Sequence, residues 1–143
     1  MTGFDIEQSV GFLMAKAHQQ LYAFFRDELA PYGVTPPQFA LLAFLWKRDG
    51  LSQTELSEKT GVDRTTIGGL VDRLAKLGLV ERCRHLADRR AWRVCLTAAG
   101  RASENDLVPL ALRVRRRFSI GLEPGEYEQL CRLLAKLRSG SDD

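Results

Sequence analysis

Cysteine and histidine are scarce in this chain of 143 residues, which has three cysteines and two histidines. Three scattered cysteines do not form the disulfide framework of a small secreted protein, and no pair of them has the spacing of a metal site. The sequence also lacks a glycine-rich phosphate loop and the serine motif of a hydrolase. We therefore expect a protein that is not an enzyme and that holds no metal or cofactor.

Long apolar runs are absent as well, since no stretch of about 18 apolar residues occurs. The first six residues already include Asp5, so neither a signal peptide nor a membrane helix is expected. Lys and Arg together number 21 against 18 Asp and Glu, a net charge of only +3, and 45% of the residues are hydrophobic. This composition is typical of one globular unit, here residues 1–143, with a cytoplasmic location.

Apolar residues spaced by three and four predict helices at both ends of the chain. The first covers about residues 5–30, and a second, apolar nearly all round and therefore central, covers residues 37–48. Two more cover residues 98–120, with a kink at Pro109, and residues 124–138.

The middle of the chain has the pattern of a helix-turn-helix. A capping box, Ser52-x-x-Glu55, opens a short helix that ends at Gly61, and Asp63 caps another helix that ends near Leu77. Alternating residues over 79–86 and 92–97 then predict a β-hairpin.

This order predicts a mainly α (α+β) fold, a winged helix-turn-helix with a two-stranded β wing. The DNA-binding lobe would cover about residues 34–97. Terminal helices over residues 1–33 and 98–138 would form a dimer, because their apolar stripes exceed what a lone winged helix can bury. Residues 139–143 would be a tail.

Positive charge is concentrated in residues 64–93, which carry eight basic and three acidic side chains, a net charge of +5. Residues 1–63 carry −3 and residues 94–143 carry +1. A duplex backbone would supply the compensating charge, and the alternative is a solvated basic face. A second basic run, residues 113–117, is expected to be a solvated or salt-bridged helix face.

At about 100° per residue, the helix that follows Asp63 has a polar sector opposite its apolar one. Threonine hydroxyls there can contact phosphates or bases, and Gly68 and Gly69 would let the helix approach a duplex closely. The alternative for the glycines is tight packing against another helix. The polar sector contains Thr65, Thr66, Gly69, Asp72, Arg73 and Lys76, opposite Ile67, Leu70, Val71, Leu74 and Leu77.

The hairpin tip carries Arg89 and Arg90, and a guanidinium there can enter the strongly negative minor groove. Asp88 could orient Arg90 through a fork of hydrogen bonds. The alternative is a turn aspartate that bonds to its own backbone beside solvated arginines.

The run from Asp63 to Arg82, DRTTIGGLVDRLAKLGLVER, is followed by Asp88-Arg89-Arg90 and then by VCLTAAG over residues 94–100. In this combination and spacing the sequence resembles the MarR family of bacterial transcriptional regulators, over essentially the whole chain. The resemblance implies a homodimer whose recognition helices enter the major groove of a pseudo-palindromic operator and whose wings reach the minor groove. It implies DNA contacts at Arg64, Thr65, Thr66, Gly69, Arg73 and Lys76, with Asp88 orienting an inserted Arg90 beside Arg89.

Members of the family usually repress transcription until a small phenolic or aromatic acid binds between the dimer helices and the DNA-binding lobe. In this chain His18 falls in the apolar stripe of the first helix, where a polar group needs a partner. A ligand carboxylate or phenol would serve, with Tyr22, Arg26, Phe39 and Trp46 as further effector-binding residues. The alternative is a core histidine bonded to backbone.

Two other functions stay open. A cysteine-based redox response is the first, although Cys83 and Cys95 lie on facing strands, where a bridge is usually strained, and Cys131 lies in the last helix. The second is a winged helix that binds protein without specific DNA binding. Steep salt dependence of DNA binding would exclude that second reading.

Overall fold

The computed structural model describes residues 3–84 and 92–139. Within these ranges the elements run α1 Val10–Leu29, α2 Pro36–Lys47, β1 Leu51–Ser52, α3 Gln53–Thr60, α4 Arg64–Lys76, β2 Val80–Arg84, β3 Trp92–Leu96, α5 Ala98–Phe118 and α6 Glu126–Ser139. This order confirms the mainly helical winged helix-turn-helix predicted from the sequence.

Short polar side chains set where the helices begin. Each of five residues accepts a hydrogen bond from the backbone N–H three residues further on, which satisfies a donor that the helix itself leaves unpaired. These residues are Ser9, Thr35, Ser52, Asp63 and Thr97. The cap at Ser9 also corrects one predicted boundary: α1 begins at Val10, and Asp5 instead caps a single 3-10 turn over Ile6–Gln8.

The sheet has one strand more than the predicted two-stranded wing. Its order is β1-β3-β2, with both pairs antiparallel, and Leu51 of β1 lies opposite Val94 of β3. Leu51 and Val94 are both buried, so the added strand fixes the base of the wing to the core. The predicted turn of the hairpin, with residues 85–91, lies outside the described residues.

The core lies around α2, as its all-round apolar sequence predicted. Leu41, Leu42 and Leu45 are each at most 1% exposed, and they pack with buried side chains from α1, α3, α4, α5 and the sheet. Helix α2 is therefore the centre of the lobe predicted over residues 34–97.

Polar contacts attach α5 to this lobe. The indole Nε1 of Trp46 donates to the Gly100 carbonyl at 2.9 Å, and the Asp49 carboxylate accepts from the Leu96 N–H and from Arg101, each at 2.9 Å. The helix runs through Pro109 without interruption from Ala98 to Phe118. The start of α5 is therefore fixed to α2 and β3.

The basic run on α5 is a salt-bridged face, as predicted. Arg113 pairs with Glu28, Arg115 pairs with Glu128, and the guanidinium of Arg117 lies 4.0 Å from the ring centre of Phe24. These contacts join α5 to α1 and α6, so three of the four arginines in this run are engaged within the subunit.

The last helix differs from the others because none of its described residues is buried. It extends through Ser139, which the sequence had assigned to the tail. Within residues 3–84 and 92–139, no helix combines the length and apolar character needed to span a membrane.

Candidate nucleic-acid interface

Helix α4 has one buried face and one exposed face. Ile67, Leu70, Val71 and Leu74 are buried, as predicted, whereas Leu77 ends the helix and is 44% exposed. The exposed residues are Arg64, Thr65, Thr66, Gly69, Asp72, Arg73, Ala75 and Lys76. The helix therefore presents to solvent the whole polar sector that the sequence assigned to DNA.

Asp63 caps the amino end of α4. The two carboxylate oxygens of Asp63 accept from the backbone N–H and from the hydroxyl of Thr66, each at 2.9 Å. These hydrogen bonds lower the pKa of Asp63 below its ordinary value. The single hydroxyl proton of Thr66 is donated to Asp63. The Thr66 side chain therefore offers DNA an oxygen lone pair and a methyl group, but no hydrogen-bond donor.

The two adjacent glycines of α4 have different surroundings. A Cβ at Gly68 would lie 3.3 Å from the Gln53 amide nitrogen of α3, whereas a Cβ at Gly69 would have no described atom within 4 Å. Gly68 thus fits the helix-packing alternative, and Gly69 leaves open space on the exposed face. Only Gly69 keeps the geometry suited to close approach of a duplex.

Arg82 of β2 ties the wing to α4. Its guanidinium forms an ion pair with Asp72 at 2.7 Å and donates to the Gly68 carbonyl and the Gln53 side chain, at 3.4 and 3.3 Å. The sequence counted Arg82 in the basic cluster and Asp72 in the polar sector. The structure instead pairs their charges, so the cations Arg64, Arg73 and Lys76 dominate the exposed flank of α4.

Two more arginines of the basic stretch also make contacts within the subunit. Arg93 donates to the Gly50 carbonyl at 2.7 Å, and Arg84 lies 5.1 Å from the ring centre of Trp92. Trp92 is 48% exposed and lies beneath Arg84. The predicted tip residues Asp88, Arg89 and Arg90 lie outside the described residues.

A cavity of about 420 Å³ lies behind α4, between α1 and the DNA-binding lobe. His18 and Tyr22 line it, as two of the five residues predicted for an effector. His18 is exposed rather than enclosed in the core, so the core-histidine alternative was wrong. The remaining lining residues are Pro36, Pro37, Ala40, Leu41, Phe44, Lys59, Thr60, Val62, Ile67 and Leu70.

The other three predicted effector residues lie elsewhere. Phe39 lies between Phe25 and Trp46 in a cluster that packs against the core. Its ring centre is 5.6 Å from that of Phe25 in a tilted arrangement and 5.8 Å from that of Trp46 in an edge-to-face arrangement. Arg26 is exposed, and its Nε lies 3.6 Å from the carboxylate oxygen Oδ1 of Asp27. The sequence missed Lys59, the cationic side chain at the cavity, because α3 gave no sign of facing α1.

Comparison with known proteins identifies this architecture. A family model described as MarR family matches residues 32–91. The transcriptional repressor NicR of Pseudomonas putida is 34% identical over 136 residues, which make up 95% of this chain and 86% of NicR. The chain belongs to the MarR family.

Solved structures agree with this assignment. A probable transcriptional regulator from Pseudomonas aeruginosa superposes with a TM-score of 0.87 at 34% identity, covering 93% of this chain and 99% of that one. BpsR of Bordetella bronchiseptica also gives a TM-score of 0.87, at 30% identity, covering 94% of this chain and 96% of BpsR. DNA binding of BpsR is regulated by 6-hydroxynicotinic acid. The resemblance inferred from the sequence is thereby confirmed.

In this MarR-family chain the two cysteines of the wing form a disulfide, contrary to expectation. The register pairs Cys83 with Arg93 and Cys95 with Glu81, so the cysteines are diagonal neighbours on one face of the hairpin. Their Cα atoms are 6.3 Å apart and their sulfur atoms are in bonding contact. The sequence alone did not give this register, on which the pairing depends.

Proposed function

We propose that this protein is a homodimeric repressor that binds a pseudo-palindromic DNA operator and releases it when a small aromatic acid binds. One observation carries the proposal: α4 buries its apolar face and exposes a flank with three cations and an open glycine. Such a helix fits the major groove, where cations contact phosphates and guanine edges. Acting on chromosomal DNA, the protein would work in the cytoplasm.

Within this proposal the DNA-binding lobe covers about residues 34–97. Arg64, Thr65 and Thr66 lie at the amino end of α4, the end that usually contacts base edges in a helix-turn-helix. Gly69 permits the approach, and Arg73 and Lys76 bind the backbone along the groove. From the wing tip, Arg90 enters the minor groove, held by Asp88, and Arg89 contacts the flanking phosphates.

Footprinting on the DNA upstream of the gene that encodes this chain tests the proposal directly. We expect two protected half-sites about 10 bp apart, centre to centre, because two-fold symmetry places the recognition helices one duplex turn apart. Binding that is weak on every fragment and insensitive to salt would instead favour the protein-interaction module.

The terminal helices support the homodimer. Large apolar side chains on α1 and α6 face solvent in the single subunit, with Val10 and Leu137 each 63% exposed. A groove of about 390 Å³ lies among α1, α5 and α6, lined mainly by leucines and Met14. Monomeric proteins rarely leave such a surface uncovered, and a second copy of the same helices would bury it symmetrically.

Replacing Leu134 with glutamate should convert the dimer to a monomer at micromolar concentration. Leu134 lines the groove between α1 and α6, where a carboxylate would be buried without a partner on both sides of the two-fold axis. Size-exclusion chromatography with light scattering measures the mass. Gln129→Glu, on the opposite side of α6, introduces the same charge and should leave the dimer intact. A dimeric Leu134→Glu variant would contradict the proposed interface.

The cavity behind α4 supports the effector. Ile67 and Leu70 form part of its wall and belong to the buried face of the recognition helix. A ligand that fills the cavity therefore contacts α4 from behind and can displace it from the DNA. Lys59 and His18 provide polar groups at the rim, which suit a carboxylate on an otherwise apolar ring.

6-Hydroxynicotinic acid is the first compound to test, because it regulates DNA binding of BpsR. We expect it to raise the melting temperature and to weaken binding to the footprinted fragment. Lys59→Met should weaken binding of the acid by roughly 10- to 100-fold, since a charge-assisted hydrogen bond contributes about 1.5–3 kcal/mol. Lys47→Met removes an exposed lysine outside the cavity and serves as the control. If aromatic acids change neither melting nor DNA binding, the effector part of the proposal is wrong.

A further inference from the structure

The disulfide between Cys83 and Cys95 lies at the base of the wing. The two residues are 12 apart in sequence, and their Cα separation of 6.3 Å falls within the range that a disulfide spans. Both cysteines are only half-buried, so reagents in solution can reach them. The segment that the bond closes contains Asp88, Arg89 and Arg90.

We propose that Cys83 and Cys95 form a reversible redox pair, oxidised by peroxides, whose disulfide fixes the base of the wing and strengthens DNA binding. The inference rests on the proposed DNA binding and adds a regulatory modification site to it. Disulfides in reducing compartments, where a DNA-binding protein works, are usually transient and redox-sensing.

The half-buried position of Cys83 suits this chemistry, because oxidation of a cysteine follows the accessibility of its thiolate. Arg93 lies directly opposite Cys83 in the register, but its guanidinium donates to the Gly50 carbonyl at 2.7 Å. Cys95 is the diagonal neighbour of Cys83 on the same face of the hairpin, within reach for the second step of the reaction.

The oxidation balances in two steps. The Cys83 thiolate attacks one peroxide oxygen, the O–O bond breaks, and the leaving oxygen takes a proton to give water or an alcohol, which leaves a sulfenic acid on Cys83. The Cys95 thiol then attacks that sulfur, the S–O bond breaks, and water leaves as the S–S bond forms. Exchange with a reducing dithiol returns both thiols and oxidises the dithiol.

The bond acts on DNA binding through the ends of the wing segment. Arg82, adjacent to Cys83, is held by Asp72 and by the Gly68 carbonyl of α4. Joining Cys83 to Cys95 adds a covalent link to the paired strands β2 and β3, directly beside this contact with α4. A strand pair held covalently beside its contact with α4 is preorganised for binding, so the oxidised form should bind about three- to tenfold more tightly.

The test uses the full chain with Cys131→Ser, which removes the free exposed cysteine of α6. The reduced protein is treated with hydrogen peroxide, and its intact mass and its resistance to alkylation report the disulfide. Fluorescence anisotropy then measures Kd on the footprinted fragment for the reduced, oxidised and re-reduced protein. Cys83→Ser/Cys95→Ser in the same background is the matched control, and a thermal melt verifies that it is folded.

The proposal expects a mass lower by two hydrogens, a lower Kd that dithiothreitol reverses, and no response in the double-serine variant. It is overturned if both cysteines stay open to alkylation, if Kd is unchanged or higher after oxidation, or if the double-serine variant responds equally. Failure of every form to bind any fragment would overturn the proposed function and the affinity claim with it. The mass measurement would then decide separately whether the bond forms.

Discussion

Replacing Gly100 with alanine is expected to lower the free energy of unfolding by about 3 kcal/mol, near the upper end of the effect of overpacking. A Cβ at this position would meet the Leu79 carbonyl, with the carbonyl carbon only 2.9 Å away, and the neighbour is backbone that cannot rotate aside. To relieve the contact, the start of α5 must move. That movement weakens the bond from Trp46 Nε1 to the Gly100 carbonyl and the cap at Thr97.

Thermal and denaturant unfolding measure this effect, which corresponds to roughly 10 °C in Tm for a chain of this size. Gly69→Ala is the matched control, because Gly69 is also helical but has open space around its Cβ position. Alanine there should raise the stability by about 0.5–1 kcal/mol, the usual gain over glycine in a helix. Equal stability of the two variants would contradict the close packing of Gly100 against Leu79.

Removing Arg64 and Arg73 together is expected to weaken operator binding by 100-fold or more at moderate salt. Both are exposed on α4, and each arginine that contacts DNA contributes about 1–3 kcal/mol, counted twice in a dimer. The salt dependence should change too. The two phosphate contacts of Arg73 that are lost in the dimer would reduce the slope of log K against log salt by about two.

Arg132→Ala/Lys136→Ala is the control for that variant. It removes the same number of positive charges from α6, where both side chains are exposed and lie on the side away from Leu134. Its affinity should stay within about twofold of the original, because distant charges are screened at physiological salt. An equal loss in both variants would show that overall charge, rather than the flank of α4, determines binding.

Features of the fold that depend on residues close together in the sequence could be predicted from the sequence. The caps at Ser52 and Asp63 lie where the sequence placed them, because each cap bonds within its own first turn. The strand β1 could not be predicted. It has only two residues, and its hydrogen bonds are made with β3, which lies some forty residues further along the chain.

The candidate site also has features that could be predicted from the sequence and features that could not. Helical periodicity alone gave the exposed face of α4. Periodicity placed Gly69, but not Gly68, in the polar sector. It could not show that Gly68 packs closely against α3, because that contact is made by the side chain of Gln53 on another helix. The pairing of Cys83 with Cys95 likewise depended on register, since a shift of one residue places a side chain on the opposite face of a strand.

The contacts of Arg82 also bear on how an operator is read. Through Asp72, Gly68 and Gln53, one guanidinium joins the wing to both helices of the helix-turn-helix. In the proposed complex with DNA, the separation between the major-groove and minor-groove contacts would therefore be set inside the subunit. An operator with a different half-site spacing would have to be accommodated by rotation of entire lobes about the proposed dimer axis. The loss of affinity on operators of altered spacing would therefore measure the stiffness of the dimer and not that of the wing.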